Sequence, residues 1–221
     1  LRIHDEAKAV PGEEVFVLLA PLSGDGGLYE HVARFVAKSG RRKSLELIGK
    51  HAVVRFRKPW HDPETISQLK QLKLDVGLHK SGQIYAAETI ACFRLGILNA
   101  HIGLLPKYRG RSVMEWSLLQ GDRTGISVFF VDAGIDTGER IVFSETVDVS
   151  HCRTVAEAKQ HLFDQDARVY RRAIEQLAAG QTQFEINDNS GRRYYIMSEL
   201  FQSVAQANLT IDNQRPLTTD H

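Results

Sequence analysis

Three polar side chains in the middle of the chain have the types and spacing of a catalytic set. Asn99 and His101 lie two residues apart, directly after an apolar segment, and Asp136 follows 35 residues after the histidine. An Asn amide can donate to an oxygen that becomes negative during a reaction. An imidazole can donate or accept a proton, and a carboxylate can orient it, hold it charged or relay a proton through water. The set therefore predicts proton transfer combined with stabilisation of an oxyanion.

The residues before Asn99 are expected to place this set. Residues 95–98 are apolar and predict a short buried strand. Side chains two apart on a strand point to the same face, so Asn99 and His101 should face one pocket. In open α/β sheets, ligands bind beyond the carboxyl ends of the strands. The pocket is predicted at that edge.

Each residue of the set also has a structural interpretation. His101 could be a hydrogen-bonded core histidine, and Asn99 could cap the end of a strand. Asp136 stands in Gly-Ile-Asp-Thr-Gly at 134–138 and could form a turn, since Asp and Gly both favour turns. Asn99 on the same face as His101 favours catalysis for the histidine, whereas the local sequence alone favours the turn for Asp136.

The wider hydrophobic pattern predicts alternating strands and helices. Strands are predicted at 15–20, 52–56, 75–78, 95–101, 126–131 and 141–147. Helices are predicted from Asp62-Pro63 onward, at 85–93, at 113–119 and, as one long amphipathic helix, at 154–179. Beyond Gly180, residues 184–186 and 194–196 predict a hairpin, and residues 198–209 predict a short helix.

A glycine-rich turn at residues 23–27 follows the first predicted strand and precedes a helical pattern. Strand, turn and helix open a βαβ unit, and the amides at the start of the helix could hold a phosphate. The glycines match neither the dinucleotide nor the P-loop fingerprint. A simple tight turn is therefore favoured.

The motifs around the polar set occur together in one known family. They are Asn99-x-His101, Leu-Leu-Pro at 104–106, Tyr-Arg-Gly at 108–110, a helix containing Trp116, Gly-Asp-x-Thr-Gly at 121–125 and Asp-Thr-Gly at 136–138. Over about residues 75–180 the chain resembles the folate-dependent formyltransferases, which move a formyl group from 10-formyltetrahydrofolate to an amine. Glycinamide ribonucleotide, methionyl-tRNA and amino-sugar N-formyltransferases belong to that family. The resemblance implies an α/β Rossmann-like fold, with a mostly parallel sheet flanked by helices and a short C-terminal extension.

The resemblance also implies roles for individual residues. The family's catalytic Asn, His and Asp fall on Asn99, His101 and Asp136. The residues expected to bind the folate are Gly77, Leu78, His79, Ile84, Leu105, Val131, Asp132 and Gly134. For His79, a surface position is the alternative. The residues expected to bind the acceptor are Lys107, Tyr108, Arg109 and Arg111.

Arginine forks suit phosphate or carboxylate groups, although Arg109 could instead tie its loop to the scaffold.

One departure from the family pattern is Gly103, where the family usually has Ser, so the bond that this hydroxyl makes is missing. A second departure is the N-terminal part, which is compressed relative to the family. The catalytic domain is expected to comprise residues 1–180, with an extension at 181–221.

Composition excludes several classes of partner. The net charge of +1 gives no strong field toward nucleic acid or membrane, and no apolar run is long enough to span a bilayer. Cys92 and Cys152 have no Cys-x-x-Cys spacing and are expected to be free thiols in a reducing cytoplasm. The nine histidines form no metal-binding motif, so no metal is predicted.

The acceptor is expected to be the primary amine of a nucleotide-linked amino sugar, because the 107–111 loop and the helix with Trp116 resemble that branch. Only about eighty residues follow Asp136, too few for the C-terminal barrel expected of an initiator-tRNA enzyme, so tRNA is not the expected acceptor. A purine-pathway formyltransferase is the alternative within the family. The alternative from another class is a non-catalytic folate- or nucleotide-binding module. A homodimer is among the assemblies that this assignment allows.

Overall fold

The structure is a computed structural model that describes residues 15–18, 53–56, 60–72, 74–79, 84–180 and 182–212, with only the backbone course given at 15–18, 53–56 and 210–212. The glycine turn predicted at 23–27 and residues 80–83 of the predicted folate loop lie outside the described residues. In chain order the elements are β1 (Val15–Leu18), β2 (Val53–Phe56), α1 (Pro63–Gln71), β3 (Val76–His79), α2 (Ala87–Ile90), β4 (Gly96–His101), β5 (Tyr108–Gly110), α3 (Val113–Leu119), β6 (Gly125–Phe130), β7 (Arg140–Thr146), α4 (Val155–Asp164), α5 (Asp166–Ala178), β8 (Glu185–Ile186), β9 (Arg192–Tyr194) and α6 (Glu199–Asp212).

Five of these strands form one mixed sheet in the order β3-β4-β6-β7-β8. Strands β3 and β4 are parallel, whereas the three other neighbouring pairs are antiparallel. The α/β arrangement is as predicted, but the expectation of a mostly parallel sheet is wrong for the described strands. Helix α3, which lies between β4 and β6 in the chain, packs on β5 and α6. Antiparallel neighbours require no crossover over the sheet.

The two N-terminal strands pair with each other. Strands β1 and β2 form a two-stranded antiparallel sheet in which Val15 lies opposite Phe56. Both strands were predicted, but an opening βαβ unit would have made the next strand parallel to the first. The sequence pattern located these strands and gave the wrong direction of pairing.

Side-chain caps define the starts of two predicted helices. Asp62 Oδ1 accepts a hydrogen bond from Glu64 N at 2.9 Å, and Pro63 occupies the first turn of α1. Thr154 Oγ1 accepts from Glu157 N at 3.1 Å at the start of α4. Both arrangements satisfy a backbone N–H that has no partner within the helix.

The long helix predicted at 154–179 is two helices that meet at Gln165. Helix α4 packs on α6, and α5 packs on β4 and β6. A straight helix would present one continuous stripe to a single surface. The break allows the two halves to pack on different elements, and this packing could not be deduced from the periodicity.

The predicted C-terminal hairpin does not form. Strand β8 pairs antiparallel with β7, and β9 pairs parallel with β5 in a separate two-stranded sheet. The segment between them crosses from one sheet to the other. Helix α6 occurs where the sequence predicted it and packs on α3 and α4.

The main core lies between the sheet and the helices that cover it. Its fully or almost fully buried members include Leu98, Val128, Leu162, Val169 and Leu209. Leu98 belongs to β4, so the strand that carries Asn99 and His101 is fixed by the core on its other face. Within the described residues, no helix is both long and apolar enough to cross a membrane.

Candidate active site

Asn99 and His101 lie at the carboxyl end of β4, as predicted. Asn99 is opposite His79 of β3 on one side and Phe129 of β6 on the other. Its side chain is partly exposed, and within the described part of the chain its amide makes no hydrogen bond. The two amide hydrogens are therefore available to a ligand.

His101 is 7% exposed, and both of its ring nitrogens face oxygen atoms. Nε2 lies 2.8 Å from the carbonyl oxygen of Tyr108, and Nδ1 lies 3.5 Å from Asp136 Oδ1. A carbonyl oxygen only accepts, so Nε2 must carry a hydrogen. The ring is therefore held between two oxygen atoms, a backbone carbonyl on one side and a carboxylate on the other.

Asp136 reaches His101 from the loop between β6 and β7. The backbone of Asp136 is in the left-handed region, with a φ of 51°, and its Oδ2 accepts a hydrogen bond from Gly110 N at 2.9 Å. Asp132 stabilises the same loop by accepting from Gly134 N at 2.9 Å and from Thr137 Oγ1 at 2.6 Å. The two interpretations of Asp136 are thus compatible, since it belongs to a tight turn and its side chain contacts the histidine.

Gly103 lies against the histidine ring. A Cβ atom at this position would stand 2.9 Å from His101 Nε2, 2.9 Å from Val113 Cγ2 and 3.0 Å from Tyr108 O. Any side chain would have to displace at least one of these groups. Where the family usually has Ser, this chain has Gly103, and the absence of a side chain allows the Tyr108 carbonyl to pack closely on the His101 ring.

The residues predicted to bind the folate divide into a buried and an exposed group. Leu78 and Leu105 are buried in apolar clusters. His79 is 4% exposed, and its Nδ1 lies 3.0 Å from the Tyr85 hydroxyl. The alternative of a surface histidine is therefore wrong, because this ring is enclosed. Gly77 permits close packing, since a Cβ would lie 3.1 Å from side-chain atoms of Phe93 and Ile97.

The exposed group comprises Ile84, which is 51% exposed, together with Asp132 and Gly134. Val131 is partly buried, and its N–H donates to Ile97 O at 2.8 Å. Because β6 runs antiparallel to β4, its carboxyl end lies at the amino end of β4. The loops after β3 and β6 therefore leave opposite edges of the sheet. The 131–139 loop nevertheless returns Asp136 to His101.

The residues predicted to bind the acceptor are largely engaged within the protein. Lys107 Nζ donates to Asp122 Oδ2 at 2.5 Å. Tyr108 is 1% exposed, its hydroxyl donates to Asp122, and its ring stacks on Tyr194. Burial and the hydrogen bond to Asp122 raise the pKa of the Tyr108 hydroxyl well above its usual range. Tyr108 is a packing residue whose backbone carbonyl contacts the site.

Arg109 and Arg111 differ in their engagement. Arg109 Nη1 donates to Asn189 Oδ1 at 2.8 Å, so this residue does tie its loop to the scaffold, through a side chain. Its Nε is buried and has no partner among the described residues. Arg111 is exposed, and its side chain makes no hydrogen bond or ion pair within the described part of the chain.

Two residues that contact the site carried no recognisable sequence signal. The Tyr170 hydroxyl, from α5, accepts a hydrogen bond from Ala100 N at 2.8 Å and donates to His79 O. Asn187 Nδ2 donates to Asp136 O at 3.0 Å and to Gly138 O at 3.1 Å. Both join residues more than 45 positions apart, and such contacts are not visible in local patterns. Among the described residues, no three His, Cys, Asp or Glu side chains are grouped as metal ligands.

Comparison with known families identifies the class. The model of the formyl transferase family matches residues 34–174. This match covers more than half of the chain, and the chain therefore belongs to the formyl transferase family. The family predicted from the motifs around Asn99 and His101 is confirmed.

Curated relatives of this chain include two methionyl-tRNA formyltransferases. A methionyl-tRNA formyltransferase from Cyanothece sp. is 35% identical over 135 residues, which are 60% of this chain and 40% of that protein. One from Clostridioides difficile is 30% identical over 135 residues, which are 60% of this chain and 43% of that protein. The chain thus spans less than half the length of these curated relatives.

Solved structures of the same fold include enzymes for other acceptors. A 4-N formyltransferase from Francisella tularensis has a TM-score of 0.55 and 13% identity, with 84% of each chain covered. A sugar N-formyltransferase from Shewanella sp. has a TM-score of 0.53 and 16% identity, with 69% of this chain and 66% of that chain covered. Glycinamide ribonucleotide transformylase 1 from Symbiobacterium toebii has a TM-score of 0.51 and 20% identity, with 75% and 90% covered. At these identities the likeness is one of fold.

Proposed function

We propose that this chain transfers a formyl group from 10-formyltetrahydrofolate to a primary amine. The observation that carries the proposal is the placement of His101 between the Tyr108 carbonyl and the Asp136 carboxylate, at the end of the strand that presents the free Asn99 amide. Membership of the formyl transferase family supports the same reaction. A binding module would not require a histidine held between two acceptors beside an unpaired amide.

The chemistry assigns a separate task to each side chain. As the amine nitrogen bonds to the formyl carbon, the formyl oxygen gains negative charge, and Asn99 Nδ2 donates to it. The bond from that carbon to the donor nitrogen then breaks, the electron pair goes to this nitrogen, and the amine loses a proton. His101 stabilises the developing charge, and the His101–Asp136 pair passes the proton toward the leaving nitrogen. A preorganised donor of this kind contributes about 10²–10³ in rate.

The donor is proposed to bind beside Asn99, near the loop that follows β3 and the 131–136 loop. Ile84 and Asp132 are exposed in these two loops, and the backbone of the second leads directly to Asp136. Leu78, His79 and Leu105 are buried, and they are proposed to support the site from within the protein. Recognition of the folate would then depend mainly on backbone groups.

A nucleotide-linked amino sugar is the first proposed acceptor. The ribbon of β5 and β9 adjoins His101 through the Tyr108 carbonyl, and its register places Arg109 opposite Arg193. Arg111 and Arg193 are exposed and have no carboxylate partner within the described residues. Guanidinium groups in this arrangement suit the oxygens of a phosphate.

Methionyl-tRNA is the second candidate acceptor, and the specific observation in its favour is the 35% identity with a methionyl-tRNA formyltransferase. Both acceptors carry phosphates, so the arginines of the ribbon do not discriminate between them. An assay with each acceptor does.

The experiment supplies 10-formyltetrahydrofolate together with nucleotide-linked amino sugars, glycinamide ribonucleotide or charged initiator tRNA, and measures formylated product by mass spectrometry. His101→Ala should lower the rate by at least ~10². His151→Ala, an exposed histidine outside the site, serves as the control and should retain the wild-type rate. The absence of product with every amine, or equal rates for the two variants, would contradict the proposal.

A further inference from the structure

The segment from β8 to β9 lies against the loop that carries Asp136. Asn187 is 1% exposed, and its amide donates to the carbonyl oxygens of Asp136 and Gly138 at 3.0 and 3.1 Å. Its backbone N–H also donates to Glu139 O at 2.8 Å. One residue thus fixes the loop on both sides of Thr137.

This support is significant because of the backbone conformation of Asp136. A φ of 51° is uncommon for a residue with a side chain. Such a conformation persists where the surrounding structure fixes it. The two bonds from Asn187 attach to the carbonyls of this turn, so they select the conformation that directs the Asp136 carboxylate toward His101.

The same segment supports the other contact of Asp136. Strand β9 pairs with β5, and a Cβ on Gly110 would lie 2.2 Å from Tyr194 O. Gly110 N donates to Asp136 Oδ2. The Asp136 carboxylate is therefore held by Gly110 of β5, and β5 is held by its pairing with β9. The backbone of Asp136 is held by Asn187.

Asn187 is also poorly explained by stability alone. Its Oδ1 atom is buried and has no hydrogen-bond partner within the described part of the chain. A buried unpaired carbonyl opposes folding. An apolar residue of similar size would avoid this penalty, so the two donated bonds are the property that requires Asn here.

We propose that Asn187 is a positioning residue of the active site, whose amide hydrogens hold Asp136 where its carboxylate meets His101. Its catalytic consequence rests on the proposed formyl transfer, whereas its effect on the His101–Asp136 geometry can be measured without any reaction. The C-terminal segment is then a structural part of the site.

The test compares Asn187→Leu with Asn208→Leu. Asn208 on α6 has the same chemistry away from the site, since its Nδ2 donates to Leu118 O at 3.0 Å and to Leu119 O at 3.2 Å. Each substitution removes two bonds from an amide to backbone carbonyls. Asn187→Leu should lower kcat by about 10- to 100-fold, because small misplacements of catalytic groups have effects of this size. Asn208→Leu should leave kcat unchanged. Equal kcat values in the two variants would overturn the proposal.

The ring ¹⁵N signals of His101 provide the second readout. In Asn187→Leu they should move toward the signals of Asp136→Asn, and in Asn208→Leu they should stay at the wild-type position. Wild-type His101 signals in Asn187→Leu would overturn the positioning role even if no acceptor were formylated. The positioning role and the proposed function can therefore fail separately. Asn187→Asp keeps the side-chain size and removes the NH₂ donors. If Asn187→Leu does not fold, wild-type His101 signals in a folded Asn187→Asp at neutral pH would overturn the role equally.

Discussion

Replacing Tyr170 by Phe tests how the ends of β3 and β4 are held together. The Tyr170 hydroxyl is buried in the core, accepts from Ala100 N at 2.8 Å and donates to His79 O. Burial raises the pKa of this hydroxyl above its usual range, so it remains a donor. Ala100 lies between Asn99 and His101. The last residue of β3 that pairs with β4 is His79, opposite Asn99, and the Tyr170 hydroxyl binds β4 one residue further on.

The expected loss of stability follows from these two bonds. Phe keeps the packing of the ring, so the change is confined to the hydroxyl. It leaves the Ala100 N–H without its partner, which costs about 1–3 kcal/mol for a buried group, and it removes the bond to His79 O, which contributes about 0.5–1.5 kcal/mol. We expect the free energy of unfolding to fall by about 2–4 kcal/mol.

Urea unfolding followed by circular dichroism measures this loss. With a slope of about 2 kcal/mol per M, the midpoint should fall by about 1–2 M. Tyr195→Phe is the matched control, because Tyr195 is 66% exposed, and it should change stability by less than about 0.5 kcal/mol. A Tyr170→Phe protein as stable as Tyr195→Phe would refute the reasoning that this hydroxyl joins the strand ends.

Three further changes have defined outcomes. Gly103→Ala places a Cβ 2.9 Å from His101 Nε2. It should lower kcat, and it should lower the free energy of unfolding by about 1–3 kcal/mol. Wild-type kinetics and wild-type unfolding would show that the loop accommodates the Cβ without strain. Hydrogen bonds from Lys107 and then from Tyr108 lower the pKa of Asp122. The ionised Asp122 therefore contributes to stability above the unfolded pKa of about 3.9, and this contribution is lost as the pH falls through the folded pKa. The urea midpoint of Asp122→Asn should therefore lie below that of the wild type at neutral pH and converge with it in acid, and a constant difference would contradict this. Arg111→Ala should raise the KM of a phosphate-bearing acceptor but not of the folate, with a smaller effect at high salt, and unaltered acceptor kinetics would remove Arg111 from that site.

The sequence predicted the parts of the site that depend on local patterns. An apolar run followed by Asn99 and His101 places both residues at the end of a strand, because alternation along a strand is a local property. The start of α1 was predicted for a similar reason, since a capping Asp and a Pro define it within three residues.

Strand direction and the C-terminal contacts could not be predicted in this way. A helix between β4 and β6 is compatible with either direction of pairing, and the antiparallel choice is set by packing of α3 on β5 and α6. Asn187 meets Asp136 across 51 positions. The pairing of two short strands with different sheets, rather than with each other, depends on the same long-range packing.

The most direct test of the central claim is the steady-state kcat of Asp136→Asn with 10-formyltetrahydrofolate and the acceptor that the wild-type protein formylates. The substitution keeps the size of the side chain and removes the negative charge that faces His101 Nδ1 at 3.5 Å. If the His101–Asp136 pair carries the transfer, kcat should fall by at least ~10², with the circular dichroism spectrum unchanged. A folded Asp136→Asn protein with the kcat of the wild type would contradict the account.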